Sequence, residues 1–257
     1  MGRTLNGRAP LVVAHRGASA AEPEHTLRAY ERAIRDGADA VECDVRLTAD
    51  DELVCVHDRR VDRTSDGRGV VSDMRLADLL ELDFGGPGGP GSTILLLRDL
   101  LDLLDRAPRR VDLAVETKHP ARYGGRLESR LARLLHETGY ATPTPDRPNV
   151  RMMSFSVLAV RRFGRLCPQL PRVLLAELGI VPSVRAGRLP YDVGAIGIGV
   201  SLLRRDPEIV DRHHARGHEV YVYTVDHEAD LQRCFRSGVD AIITNRPAWV
   251  ISVLGTR

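Results

Sequence analysis

Four short groups in this chain place acidic or basic residues at spacings that matter: His15-Arg16-Gly17, Glu42-Cys43-Asp44, His57-Asp58 and Glu116-Thr117-Lys118. Side chains alternate along an extended strand, so Glu42 and Asp44 share one face of theirs and Glu116 aligns with Lys118 on another. The run AVECDV that carries the first pair is otherwise apolar, which points to burial. Two buried carboxylates side by side are costly unless a cation binds between them. If the strand bearing Glu116 lies next to the one bearing Glu42, three carboxylates converge, and an all-oxygen donor set suits Mg²⁺ or Ca²⁺ better than zinc. His15 closes the first apolar run, and His57 returns toward Asp44 through a hairpin. Two imidazoles beside a hard cation, with Arg16 to hold a phosphate by its fork, form a kit for cutting a phosphodiester: one activates the attacking oxygen and the other protonates the departing one.

Lys118 is the only lysine; the other 36 of the 37 cationic side chains are arginine. A solvated surface charge is indifferent to that choice, whereas a cramped site that needs a compact point charge is not.

Positioning these groups requires several parallel strands. The strand candidates are LVVAHR (11–16), AVECDV (40–45), VDLAVETK (111–118), VRMMSF (150–155), RVLLAE (172–177), AIGIGV (195–200), EVYVYT (219–224) and DAIITN (240–245). Helical stretches such as 26–37 and 226–238 lie between them, each ending at a glycine. Eight βα units without a glycine-rich dinucleotide fingerprint after the first strand predict an α/β fold of the TIM (β/α)8 barrel type, in one domain over 1–257. The stretch DVRLTADDELVCVHD breaks the repeat and reads as a hairpin; a turn centred on Asp50 and Asp51 sets Asp44 opposite His57 and puts Cys43 and Cys55 on opposite faces. Together with the glycine- and proline-rich stretch 59–93, including GGPGGPG, it forms an insertion over about 48–93 after the second strand.

The chain is 43% apolar and 28% charged, with a formal net charge of +2. That composition is of a globular protein and carries no strong electrostatic footprint for nucleic acid. The four-residue apolar run before His15 is too short for a signal-peptide core, and no run is long enough to span a membrane, so the expectation is a cytoplasmic protein without membrane insertion. Four cysteines without CxxC spacing argue against a zinc or disulfide framework. His213, His214 and His218 read as solvated or capping, Arg161 and Arg162 as surface charges, and His119 as bordering the site without a role.

The order and spacing of HRG (15–17), EPEHT (22–26), VECDV (41–45), VHD (56–58), VETK (115–118), MSF (153–155), VYTVD (222–226) and GVDAIITNRP (238–247) resemble the glycerophosphodiester phosphodiesterase family almost from end to end. The resemblance implies hydrolysis of glycerophosphodiesters to glycerol 3-phosphate and an alcohol. It further implies a divalent ion on Glu42, Asp44 and Glu116, acid/base roles for His15 and His57, and phosphate contacts from Arg16 and Lys118. Three positions depart from the family pattern. His25 replaces the usual asparagine of Glu-Asn-Thr, Tyr223 stands where a tryptophan packs on the glycerol end, and Asn245 stands where aspartate is common. Two other readings remain beside it: phospholipase D-like cleavage of lysophospholipids or sphingolipids, for which the insertion lacks an aromatic cluster, and a silent barrel that binds phosphorylated metabolites.

Overall fold

Every second residue of the apolar runs has a different surface to cover, and this sorts the chain into a barrel with helices outside it. In the computed structural model, which describes residues 4–86, 91–122 and 124–255, ten strands form: β1 (Leu11–His15), β2 (Ala40–Leu47), β3 (Leu53–Cys55), β4 (Leu95–Leu96), β5 (Asp112–Thr117), β6 (Val150–Ser154), β7 (Arg172–Ala176), β8 (Ala195–Gly199), β9 (Glu219–Tyr223) and β10 (Ala241–Thr244). Eight are parallel, in the order β1-β10-β9-β8-β7-β6-β5-β2, and β2 pairs back onto β1 to close the ring. The architecture is the expected TIM barrel, and the eight strand candidates fall on its eight staves within one or two residues.

Outward-facing residues such as Val12, Val41, Val45 and Val115 join the large core beneath the helices. Inward-facing Val13, Ala40, Ala114, Met153, Leu175 and Tyr221 fill the barrel interior. The same inner rows continue toward the C-terminal strand ends as His15, as Glu42 and Asp44, as Glu116 and Lys118, and as Tyr223. An apolar plug thus sits under a polar mouth, the end of a parallel barrel where loops of many strands can meet one ligand.

The turn after β1 is fixed by close packing. Gly17 has φ +83°, and a Cβ there would lie 2.6 Å from the backbone carbon of Ala29 on the helix Leu27–Asp36. That helix starts at Thr26, whose side chain accepts from Ala29 N at 3.2 Å, a cap worth about 1 kcal/mol. It stops at Gly37, in the left-handed region at φ 94°.

The hairpin after β2 differs from expectation by one residue. Three residues, 49–51, make the turn, with Asp51 left-handed at φ 67° and Thr48 N donating to the Glu52 carbonyl at 3.0 Å. Val45 therefore pairs with Cys55, and Val56 N donates to the Asp44 carbonyl at 3.0 Å. Asp44 faces Val56 rather than His57. The slip also changes faces: Cys43 and Cys55 lie on the same side as neighbouring free thiols, where burial and then the Cys55 contact push the Cys43 thiol well up. Beyond β3 a small cluster of Val54, Val56, Val61, Val71, Leu79 and Phe84 gives the segment its own apolar core. Residues 87–90 of the expected GGPGGPG stretch lie outside the described residues.

Two side chains expected at the surface are not simply solvated. His213 is completely buried, on the helix Ile209–His214, and Arg162 donates to the buried Glu128 at 3.0 Å. No helix among the described residues is long and apolar enough to cross a membrane.

Candidate active site

Strand register assembles the carboxylates. β2 and β5 run side by side with Asp44 opposite Glu116, and each of Glu42, Asp44 and Glu116 offers an oxygen within 4.8 Å of the others. Their exposures are 2%, 1% and 7%, so solvent does little to relieve their repulsion. Burial, followed by the charges of Asp44 and Glu116, holds Glu42 well above the ordinary carboxylate range. Burial and Asp44 push Glu116 up to about 7, against Lys118. Burial acts in the same direction on Asp44, but the His25 hydrogen bond and the charges of His25, Lys118 and Arg16 keep it well below its usual range.

This donor set fits a hard divalent cation. All three donors are oxygens, and Asp44 Oδ1 is buried without an aligned hydrogen-bond donor. Lys118 Nζ lies 2.9 Å from that oxygen as an ion-pair contact and 2.7 Å from Glu116 Oε1. The lone lysine thus sits between two carboxylates of the cluster, in a space suited to its compact ammonium.

Arg16 is equally embedded. Its backbone N donates to Glu42 Oε2 at 2.9 Å, its Nε is 3.1 Å from Asp44 Oδ2, and its Nη1 donates to Glu24 at 3.0 Å. Two edges of the expected phosphate fork are therefore engaged by protein carboxylates. Burial alone would lower the Arg16 pKa, but Asp44, Glu42 and Glu24 raise it.

The two histidines flank the cluster with different partners. His15 Nδ1 is 2.7 Å from Asn245 Oδ1. Asn245 commits its amide N–H to Asp226 at 2.6 Å, so its carbonyl oxygen accepts and His15 Nδ1 carries the proton. Burial and Arg16 push His15 down to about 4. His57 arrives by the bend after β3 rather than by strand pairing. Its Nδ1 is 2.7 Å from the Asp58 carboxylate; burial lowers its pKa, while Asp44 and Asp58 oppose that shift.

Tyr223 closes the inner side. Its hydroxyl donates to the Ala176 carbonyl at 3.0 Å, its ring meets Phe155 edge-on at 6.1 Å, and it lines a small recess with His15, Glu42 and Glu116. His119, by contrast, turns away to Glu128 at 2.7 Å.

Several residues here have no role in the sequence reading. His25, left-handed at φ 60°, places Nε2 3.0 Å from Asp44 Oδ2 and Nδ1 2.8 Å from the Tyr30 hydroxyl. Arg63, from the insertion, grips Glu24 with two bonds of 2.8 Å and Asp58 with one of 2.6 Å. A chain of ion pairs thereby joins Arg16 through Glu24, Arg63 and Asp58 to His57. Asp58 and Asp226 sit inside the quoted VHD and VYTVD motifs, which was the available signal; nothing local marks Arg63.

The profile of the Glycerophosphoryl diester phosphodiesterase family matches residues 15–249. A Mycobacterium tuberculosis (strain H37Rv) protein named "Probable glycerophosphodiester phosphodiesterase 1" is 49% identical over 256 residues, covering 94% of this chain and 92% of that protein. The Bacillus subtilis glycerophosphodiester phosphodiesterase is 33% identical, over 96% and 87% of the two chains. Among solved structures, an Oleispira antarctica phosphodiesterase in complex with the product sn-glycerol-3-phosphate aligns with a TM-score of 0.83 at 25% identity, covering 98% of this chain and all of that one. The Agrobacterium tumefaciens glycerophosphodiester phosphodiesterase aligns with a TM-score of 0.77 at 29% identity, over 95% of this chain. Sequence and fold agree, and this chain is an enzyme of the glycerophosphoryl diester phosphodiesterase family.

Proposed function

We propose that this enzyme hydrolyses glycerophosphodiesters to glycerol 3-phosphate and an alcohol, with a divalent ion, Mg²⁺ or Ca²⁺, on Glu42, Asp44 and Glu116 and with His15 and His57 as base and acid. The observation that carries the reading is the buried three-carboxylate cluster with an imidazole on either side, each held at Nδ1 so that Nε2 is left for chemistry. A bound divalent ion would supply Lewis-acid polarisation of the phosphoryl oxygens.

The partners of the histidines divide the work. His15, beside a neutral amide and low in pKa, stays unprotonated and takes the proton of the attacking oxygen at Nε2. His57, backed by the Asp58 carboxylate, is the better imidazolium and delivers a proton to the departing alcohol. One P–O bond forms to the attacking oxygen as the bond to the alcohol breaks, and one proton is taken for one given. Arg16 and Lys118 contribute positive charge to the phosphate, and Tyr223 packs on the glycerol end. The chain acts as one barrel unit with its insertion over about 48–93, in the cytoplasm, on small-molecule substrates and not on nucleic acid.

Phosphorus NMR tests this directly. Glycerophosphocholine with added Mg²⁺ or Ca²⁺ should yield glycerol 3-phosphate, and His15→Ala or His57→Ala should lose about 10²-fold or more in turnover. Release of phosphocholine, or no cleavage with either ion, would refute the proposal. A transient cyclic glycerophosphate would identify the substrate's own hydroxyl, rather than water, as the attacking group.

One observation favours the lysophospholipid reading. Phe155 and Leu158 are 45% and 55% exposed and line a shallow groove beside the Tyr223 side of the mouth. Choline release from lysophosphatidylcholine, compared with release from glycerophosphocholine, separates the two.

A further inference from the structure

A pocket of about 410 Å³ adjoins the carboxylate cluster between the insertion and the segment after β5, with Lys118 in its wall. Arg46, Arg59 and Arg122 also line it, against the single carboxylate of Asp73, which is already paired with Arg122. Arg46 is half-buried, and its Nε donates to the His57 carbonyl at 2.9 Å. Among the described residues neither Arg46 nor Arg59 forms an ion pair within contact distance, although Asp44, Asp58 and Glu116 act on Arg46 at longer range. Burying part of an unpaired guanidinium is costly, and a ligand anion recovers that cost.

The place of the pocket decides what enters it. Arg46 is fastened to His57, the histidine assigned to the departing alcohol, whereas the recess containing Tyr223 lies with His15 at the opposite side of the cluster. We infer that the Arg46–Arg59 pocket receives the departing alcohol and selects diesters whose alcohol carries a further anionic group, a phosphate or carboxylate, over those carrying a quaternary ammonium. This inference rests on the phosphodiesterase function proposed above.

The test compares kcat/KM for three diesters that share the glycerophosphate half: glycerophosphoglycerol 3-phosphate, glycerophosphoglycerol and glycerophosphocholine. The anionic substrate should lead and the cationic one trail, by on the order of tenfold between extremes for two partly screened cations, with the gap narrowing as salt is added. The Arg46→Gln/Arg59→Gln double variant should bring the anionic-to-cationic ratio close to one whatever its overall rate. Arg59→Gln alone, at an exposed position, should move the ratio in the same direction and serves if the double variant does not fold. Equal rates or a choline preference in the unmodified enzyme, or a ratio unmoved in the variants, would overturn the subsite. Failure to cleave any of the three with Mg²⁺ or Ca²⁺ would instead overturn the underlying activity.

Discussion

Replacing Lys118 by methionine keeps an unbranched side chain, one atom shorter, and removes its charge. Lys118 is 8% exposed, and its ammonium lies 2.9 Å from Asp44 and 2.7 Å from Glu116. Breaking a buried pair by removing one partner costs about 3–5 kcal/mol. Glu116 is at about 7 with Lys118 holding it down; without that charge it rises further and takes up a proton in compensation, so the lower end applies at neutral pH and below and the upper end only at higher pH. At about 2–4 °C per kcal/mol for a chain of this size, the ion-free melting temperature should fall by roughly 6–20 °C. Added Mg²⁺ or Ca²⁺ should restore more stability to Lys118→Met than it adds to the unmodified protein, because the ion then neutralises carboxylates that have lost their internal cation. Turnover should drop on the order of 10²-fold even with the ion present. Lys118→Arg should retain the fold but also lose turnover, since the wider guanidinium crowds the cluster. Thermal melts with and without chelator, beside steady-state rates, provide all three readings. A Lys118→Met protein with unchanged ion-free melting and unchanged turnover would refute the reasoning.

Arg63→Gln releases Glu24 and Asp58 together; because Arg63 is half exposed, stability should change by about 1 kcal/mol or less, while kcat falls on the order of tenfold as His57 loses its support. Equal effects on melting and on kcat would contradict that division. Gly17→Ala must place a methyl 2.6 Å from the Ala29 backbone at φ +83°, and urea denaturation should show a loss of about 2–4 kcal/mol. Burial pushes the His213 imidazole down to about 4 from 6.5, so the unfolded chain takes up its proton first. His213 therefore costs stability as pH falls from about 6.5 to 4, by up to about 3 kcal/mol. His213→Leu should flatten the stability profile in that window, and an unchanged profile would place the proton elsewhere.

The staves of the barrel were legible because eight short apolar runs alternate with amphipathic helical ones, and side chains then take the two strand faces in turn with a two-residue period. The same period put Glu42 and Asp44 on one face, and neighbouring strands brought Glu116 to them. What failed was set by single residues in turns. A three-residue loop with Asp51 left-handed moved the hairpin register by one, so His57 reaches the mouth by a bend and Cys43 meets Cys55. The burial of His213 was hidden because one imidazole near a helix end has no periodic signature. The contacts behind the histidines were legible only where they are local: Asp58 adjoins His57, whereas His15 and Asn245 are 230 residues apart and Arg63 reaches Glu24 across 39. Such pairs arise from closure of the ring and folding of the insertion, neither of which local pattern reports.

Calorimetric titration of ion-free protein with Mg²⁺ or Ca²⁺ tests most directly whether one cation is shared by the three carboxylates. One ion should bind per chain and none to a folded Asp44→Asn variant, and diester cleavage should be lost in step with loss of the ion. Unaltered ion binding in Asp44→Asn, or full cleavage by exhaustively chelated enzyme, would contradict it.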